Sequence, residues 1–311
     1  MNARTESLAG QDFVRRSLEG KRLDAREVLF QATLIVGLLA SLLILVVLLF
    51  DVARTGVAVL SDRGVDFFRQ PLSNFSPDLA GVSQAVFGSL ASLLFVIVLA
   101  IPLGIGAAVY LEEFARDTRL NRLINVNIRN LAGVPSIVYG LLGLALFVEL
   151  LGGVTGGKTI ISAGLTLGVL VLPIVIITSA EALRAVPGAL REAGYGVGAT
   201  RWEVIRHHVL PSAAPGIMTG IVLSLARALG ETAPILLVGA VTGFLASGGA
   251  GFAEQLRQPF TTLPVAVYAW SQLPQDEFRA LASAAIVVLL VVILIANGAA
   301  ILLRNRYERK W

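Results

Sequence analysis

Six apolar stretches, each long enough to cross a lipid bilayer, dominate this chain of 311 residues. A transmembrane helix needs roughly 20 predominantly apolar residues, and the stretches that satisfy this are residues 28–50, 86–111, 131–151, 160–180, 213–240 and 280–303. With 56% hydrophobic residues, 15% charged residues and a mean hydropathy of +0.79, the chain has more apolar surface than a soluble domain of this length can bury. The pattern predicts an all-α integral membrane protein with six transmembrane helices.

The first apolar stretch is predicted to be a retained helix and not a secretory signal. It follows a charged tail and lacks a small-x-small cleavage site near its end. The chain is therefore predicted to divide into an N-terminal tail, a first helix, an outer loop, a core of five helices and a C-terminal tail, at residues 1–27, 28–50, 51–85, 86–303 and 304–311.

Basic residues fall mainly on one side of the predicted membrane. With the N-terminus inside, 18 of the 25 Lys and Arg residues lie in inner segments, six lie in outer segments and Arg227 lies within a span. Lys and Arg near span ends favour the cytoplasm, so both termini of this multi-pass protein are predicted to be cytoplasmic. Because the charges are sorted by membrane side and not gathered on one face, they indicate contact with anionic lipid and no nucleic-acid partner.

Absent residue types and one misleading motif narrow the possible chemistry. The chain has no cysteine, which excludes disulfides and thiolate metal sites. Residues 152–159 match the phosphate-loop pattern G-x-x-x-x-G-K-[ST]. A working loop of that kind follows a strand in a soluble α/β domain, whereas this one joins two predicted transmembrane helices. We predict a tight turn here, and no metal, cofactor or catalytic residue in the chain.

The fifth predicted span contains two charged residues near its middle, Arg227 and Glu231. A charge at the centre of a span costs roughly 2.5–3.5 kcal/mol, and intramembrane charges usually pair or face a cavity. Four residues apart, the two side chains share a helix face, and Pro234 favours an irregular helix by removing an amide donor. Because a planar guanidinium can donate parallel hydrogen bonds to an oxyanion, we predict an anion pathway here. The alternative is a purely structural ion pair.

Three weaker signals accompany this pair. Arg184, at the inner end of the fourth span, is a candidate for anion exit or for anchoring at the membrane edge. Gly216 and Gly220 have the small-xxx-small spacing of a helix contact. The outer loops, residues 51–85 and 241–279, mix turn residues with aromatics, which suits either docking of a soluble binding protein or packing at the membrane interface.

The polar interval 184–211 lies between the fourth and fifth spans and resembles the coupling loop of binding-protein-dependent ABC permeases. That loop has the pattern Glu-Ala-Ala, three residues, Gly, nine residues, Ile, one residue, Leu-Pro. Here Gly194 occupies the third position and His208 the Ile position.

A short helix in this interval can lie in a groove of a separate ATPase and present a carboxylate with small residues beside it. Trp202 and Ile205 are predicted apolar anchors, and Pro211 is predicted to stop the segment before the fifth span. The alternative is an ordinary charged amphipathic loop helix. The residues predicted to couple to the ATPase are Glu192, Ala193, Gly194, Gly198, Trp202, Leu210 and Pro211.

Other phrases make the resemblance more specific. Residues 227–234, Arg-Ala-Leu-Gly-Glu-Thr-Ala-Pro, resemble the signature of the PstA family of phosphate ABC transporter permeases. Residues 101–113, 132–140 and 263–278 resemble further parts of that family, and the likeness covers about residues 81–309.

This resemblance implies the type I ABC importer permease fold, also called MetI-like, in a bacterial cytoplasmic (inner) membrane. It implies a second permease subunit (PstC-like), two ATPase subunits that bind the ATP (PstB-like) and an external phosphate-binding protein (PstS-like). The translocation residues that it implies are Arg227 and Glu231, with Arg184 as an inner-side candidate.

Three classes of function remain open from the sequence. One is a phosphate permease, whose closest rival is a permease for another oxyanion such as sulfate or molybdate. The second is an ATP-independent secondary transporter, which would not need the 192–211 loop. The third is a membrane scaffold or a phosphate-sensing component, for which the charge pair would be superfluous.

Overall fold

The structure is a computed structural model that describes residues 25–243 and 251–307, in which the regular elements are all helices. The all-α prediction is confirmed. We number the principal helices α1 (Ala25–Arg63), α2 (Ser83–Phe114), α3 (Arg119–Ala132), α4 (Ser136–Leu150), α5 (Ile160–Arg184), α6 (Gly188–Gly196), α7 (Arg201–Gly230), α8 (Ala233–Val238), α9 (Leu263–Ser271) and α10 (Asp276–Tyr307). Shorter helical turns lie at Asp66–Arg69, Pro77–Leu79, Gly152–Thr155 and Phe252–Gln255.

The chain divides into two compact units, Met1–Asp51 and Val52–Trp311. The described part of the first unit is the beginning of α1, whose apolar side chains are exposed. Helices that are apolar on all sides are typical of membrane spans. In the second unit, Gly56 near the end of α1 lies against α10, because a Cβ added there would be 2.6 Å from the carbonyl oxygen of Ser283.

Within the described ranges, α1, α2, α5, α7 and α10 are each long and apolar enough to cross a membrane. The predicted number of six spans is reached when α3 and α4 are counted together as one bent span. These two helices meet at 102°, so the predicted third span at 131–151 is not a single helix. Pro135 explains the break, because proline lacks an amide donor and disfavours helix in the residue before it.

Wide π-helical turns occur inside α2 and α7, at Val96–Ala100 and Ile205–Val209. Each is followed by a proline, Pro102 or Pro211, in the first turn of the next α-helical stretch. A proline is tolerated there because a π-turn already interrupts the regular hydrogen-bond ladder. The prediction that Pro211 stops the segment was therefore wrong, and α7 continues from Arg201 to Gly230.

The core of the second unit is centred on α5, which contacts α2, α4 and α7. Gly216 and Gly220 of α7 face α5, where added Cβ atoms would lie 2.7 Å from the Ala182 side chain and 2.1 Å from Thr178 Oγ1. The predicted small-xxx-small contact is confirmed.

Replacing Gly220 with alanine is expected to destabilise the protein by about 1–3 kcal/mol, the usual cost of overpacking. Thermal unfolding in detergent, followed by tryptophan fluorescence, measures this. The matched control is Gly106→Ala in α2, where an added Cβ meets no atom within 4 Å. Equal melting temperatures for the two variants would contradict the close contact of α7 with α5.

A second cluster of buried side chains lies where residues 64–82 meet α9 and the start of α10. It contains Phe67, Leu72, Trp270 and Phe278. Arg63 Nη1 donates to the carbonyl oxygens of Pro77 (3.0 Å) and Ala80 (2.7 Å). Trp270 Nε1 donates to the carbonyl oxygen of Ser73 at 3.0 Å. The segments predicted to be outer loops are thus folded together around a core of their own.

The phosphate-loop look-alike is a turn between α4 and α5, as predicted. Gly156 and Gly157 have φ angles of 85° and 81°, which favour glycine. The side chain of Lys158 is exposed, and Thr159 Oγ1 caps α5 by accepting a hydrogen bond from the amide of Ser162.

Candidate translocation and coupling site

The Arg227–Glu231 pair lies at a break between two helices. Arg227 is in the last turn of α7, and Glu231 follows the end of that helix with extended backbone angles. Arg227 Nε donates to Glu231 Oε1 at 3.2 Å, and the two side chains are 39% and 16% exposed. The predicted pairing is confirmed, but the pair is not in the middle of a helix, because Pro234 in the first turn of α8 starts a new one.

Residues of α4 complete the surroundings of this pair. A Cβ added at Gly140 would lie 2.6 Å from Pro234 Cα, so α4 and α8 are in close contact. The neighbouring Tyr139 is buried and donates its hydroxyl to the carbonyl oxygen of Leu131 at 2.9 Å. The arrangement holds a partly exposed guanidinium next to a less exposed carboxylate, which suits reversible binding of an anion.

The helix α6 has an inward and an outward face. Gly194 faces inward, where an added Cβ would lie 2.7 Å from Val204 Cγ2. Gly198, four residues further along the chain, has a φ angle of 86° and lies in the left-handed region. Glu192 and Ala193 face outward and are exposed. Packing at Gly194 and the left-handed backbone at Gly198 thus account for glycine at two positions of the predicted coupling pattern, and the Glu192 carboxylate remains accessible.

Apolar side chains accompany Glu192 on the outer surface. Tyr195 and Trp202 are exposed, and Val197 is 85% exposed. Of the two predicted anchors, Trp202 is accessible, whereas Ile205 is fully buried because it lies on the face of α7 that packs into the core. We call the exposed set, Glu192, Ala193, Tyr195, Val197 and Trp202, the coupling surface.

The remaining predicted coupling residues lie next to this surface. Leu210 is half-buried and Pro211 is exposed. Leu210 and Trp202 line an apolar groove of about 640 Å³ together with Tyr110 and Phe114 of α2. The start of α7 is fixed by a capping box in which Thr200 Oγ1 accepts from the amide of Glu203.

Arg184 lies apart from the charge pair. It ends α5 and forms an ion pair with Glu112, in which Arg184 Nε donates to Glu112 Oε2 at 3.2 Å. Ala182 lies beside Gly216, and Arg227 follows Gly216 by 11 positions, about 16 Å along α7 at 1.5 Å per residue. The structure therefore does not place Arg184 and Arg227 in one binding site.

Comparison with known proteins shows the family of this chain. The profile described as "Binding-protein-dependent transport system inner membrane component" matches residues 100–309. The chain belongs to this family. It is also 36% identical over 228 residues to the "Phosphate transport system permease protein PstA" of Xylella fastidiosa (strain 9a5c), an alignment that covers 73% of this chain and 76% of that protein.

Solved structures agree with the permease fold. A bacterial ABC transporter involved in the import of the acidic polysaccharide alginate gives a TM-score of 0.59 at 17% identity, covering 91% of this chain and 97% of that chain. The MetNI methionine ABC transporter gives 0.54 at 19% identity, covering 74% and 95%. At these identities the likeness concerns the fold alone, and the predicted MetI-like fold is confirmed.

Several residues of this permease component were not predicted from its sequence. Tyr195 and Val197 belong to the coupling surface, and their position within five residues of Glu192 is the signal in the sequence that points to them. Glu113 and Arg191 form an ion pair between α2 and α6. No local pattern identifies that pair, because the two residues are 78 positions apart.

Proposed function

We propose that this chain is the permease subunit of an ATP-driven importer of inorganic phosphate in a bacterial cytoplasmic membrane. The observation that carries the proposal is the partly exposed Arg227–Glu231 pair at the α7–α8 break, in a chain similar to a protein named for phosphate transport. The subunit itself catalyses no reaction and binds no cofactor, since ATP is bound by its ATPase partners.

The Arg227–Glu231 pair suits transient binding of an anion during translocation. While the path is empty, Glu231 compensates the charge of Arg227 through a single hydrogen bond. A phosphate oxygen replaces that carboxylate oxygen and accepts from the guanidinium fork. Glu231 then repels the bound anion, which favours release. Arg184 ends α5 and is paired with Glu112. We propose that it guides the anion at the inner end of the path, where the anion leaves.

The partners follow from the two ends of the molecule. A second, PstC-like permease completes the path, and one of two PstB-like ATPase subunits binds the coupling surface. A PstS-like phosphate-binding protein docks on the surface of the folded outer segments, whose buried core contains Phe67 and Trp270. Both termini are proposed to be cytoplasmic, and the spans contact membrane lipid. The sulfate, molybdate and ATP-independent alternatives gain no support from the comparisons.

Substrate competition tests the proposal. Proteoliposomes that contain the complete complex are loaded with ATP, and uptake of radiolabelled phosphate is measured with a hundredfold excess of unlabelled phosphate, sulfate or molybdate outside. We expect only phosphate to suppress the signal. ATP-dependent uptake of labelled sulfate in place of phosphate would contradict the substrate assignment and keep the permease assignment.

Replacing Gly194 with alanine is expected to reduce the amount of ATPase that co-purifies with the complex several-fold. The added methyl group would lie 2.7 Å from Val204 Cγ2, and overpacking of this kind costs about 1–3 kcal/mol, so α6 is pushed from its position. The double variant Gly194→Ala with Val204→Ala should recover ATPase binding because it removes the clash. Full ATPase binding by the single variant would contradict the argument.

A further inference from the structure

The ion pair between Glu113 and Arg191 joins three helices at one point. Arg191 Nη2 lies 2.6 Å from Glu113 Oε1, and Arg191 Nε lies 3.3 Å from both carboxylate oxygens. The same guanidinium donates to the carbonyl oxygens of Leu183 (2.9 Å) and Val186 (2.8 Å). Arg191 of α6 thus binds the end of α2 through a carboxylate, and it binds the end of α5 and the connection that follows it through carbonyl groups.

Burial makes an unpaired charge at this junction energetically costly. The Glu113 side chain is only 5% exposed and that of Arg191 is 21% exposed. A carboxylate removed from water in this way is tolerated only when it is paired and hydrogen-bonded. The planar guanidinium with its fixed fork satisfies the Glu113 carboxylate and the carbonyl groups of Leu183 and Val186 at the same time, which a lysine cannot do.

The neighbouring residues show that the end of α2 is attached twice. Glu112 and Glu113 lie in the π-turn Tyr110–Phe114. Glu112 pairs with Arg184 of α5, whereas Glu113 pairs with Arg191 of α6. Consecutive residues of a helix point in different directions, so α2 connects to both helices at one level.

On α6, the residue that forms the ion pair with α2 is adjacent to an exposed residue. Arg191 is turned towards Glu113, while Glu192 belongs to the coupling surface. A force applied to the outer face of α6 therefore acts one residue away from the attachment to α2 and α5. The three-residue connection between α5 and α6, residues 185–187, is braced by the bond from Arg191 to the Val186 carbonyl oxygen.

We propose that Glu113 and Arg191 are a positioning pair that transmits displacement of α6 to α2 and α5. This inference rests on the proposed function, in which α6 receives the movement of an ATPase. When the pair is intact, α2 and α5 follow α6 as one body. When it is broken, α6 moves without carrying α2 with it, and ATP is hydrolysed without the matching movement of the transmembrane helices.

The test is the number of phosphate ions imported per ATP hydrolysed by the complete complex in proteoliposomes. Glu113→Gln removes the charge and keeps the shape, and Arg191→Lys keeps the charge and removes the fork. For both we expect the ratio to fall at least about tenfold, the scale of losing one charge-assisted hydrogen bond, while the ATPase still co-purifies. The charge reversal Glu113→Arg with Arg191→Glu should restore part of the ratio.

Asp117→Asn is the matched control. Asp117 pairs with Arg122 at 3.1 Å near the same end of α2, but both side chains are exposed and neither is on α6, so the ratio should not change. If phosphate import and ATP hydrolysis fall in parallel in Glu113→Gln and Arg191→Lys, the pair is merely structural and the inference is overturned. An unchanged ratio in both variants overturns it as well. Failure of the proposed function itself would be seen separately, as wild-type complex that imports no phosphate with ATP.

Discussion

Replacing Arg227 with alanine is expected to lower ATP-dependent phosphate uptake by roughly ten- to 150-fold, because a hydrogen bond to a charged group contributes about 1.5–3 kcal/mol. The loss removes the donors for the anion and leaves the 16%-exposed carboxylate of Glu231 without its partner. Repulsion by that carboxylate then adds to the barrier for the anion. The initial rate of labelled phosphate uptake in proteoliposomes measures the effect.

Two further variants separate charge from geometry at this position. Arg227→Lys keeps the positive charge but not the planar fork, so its uptake rate should lie between those of wild type and Arg227→Ala. Glu231→Gln removes the repulsion and the compensating charge, so phosphate should bind more tightly and leave more slowly. If Arg227→Ala takes up phosphate at the wild-type rate, the Arg227–Glu231 pair is structural and does not lie on the translocation path.

The second large effect is expected for Glu192→Arg, which should abolish binding of the ATPase subunit. Glu192 is exposed on α6, one residue from the clamped Arg191 and beside exposed Tyr195 and Val197. A reversed charge at the centre of an interface of this kind replaces attraction with repulsion, which costs several kcal/mol. Co-purification of the ATPase with the detergent-solubilised permease measures the result.

The protein should remain inserted, because the Glu192 side chain makes no contribution to the described core. Glu277→Arg is the matched control, since Glu277 is also an exposed acid but lies at the start of α10, away from α6. It should retain the ATPase fully. Undiminished ATPase binding by Glu192→Arg would contradict the assignment of the coupling surface.

Hydropathy predicted the helices because membrane spans need long apolar runs, and this signal is local. It failed at the third span, where the Gly133–Pro135 region turns the chain by 102° between α3 and α4. The prediction that Pro211 stops the segment rested on proline as a helix breaker, and it was wrong because a preceding π-turn lets α7 continue. The differences arise from backbone geometry that apolar composition does not encode.

In the candidate site, only interactions between residues that are close in sequence could be predicted. The pairing of Arg227 with Glu231 was predicted correctly because the two residues are only four positions apart, although Glu231 lies just beyond the end of α7. Ile205 was predicted to be an apolar anchor for the ATPase, but the contacts of α7 with the core bury it. The Glu113–Arg191 pair joins distant segments, and a carboxylate at the end of a span is expected to be solvated, so only the tertiary structure shows its burial.

The most direct test of the account is uptake of radiolabelled phosphate into proteoliposomes that contain this chain with its second permease, ATPase and binding protein. The measurement compares wild type and Arg227→Ala, each with and without ATP inside. The account predicts uptake that requires ATP and collapses in the variant. Wild-type uptake that proceeds equally without ATP would contradict it, because the coupling surface would then have no role in transport.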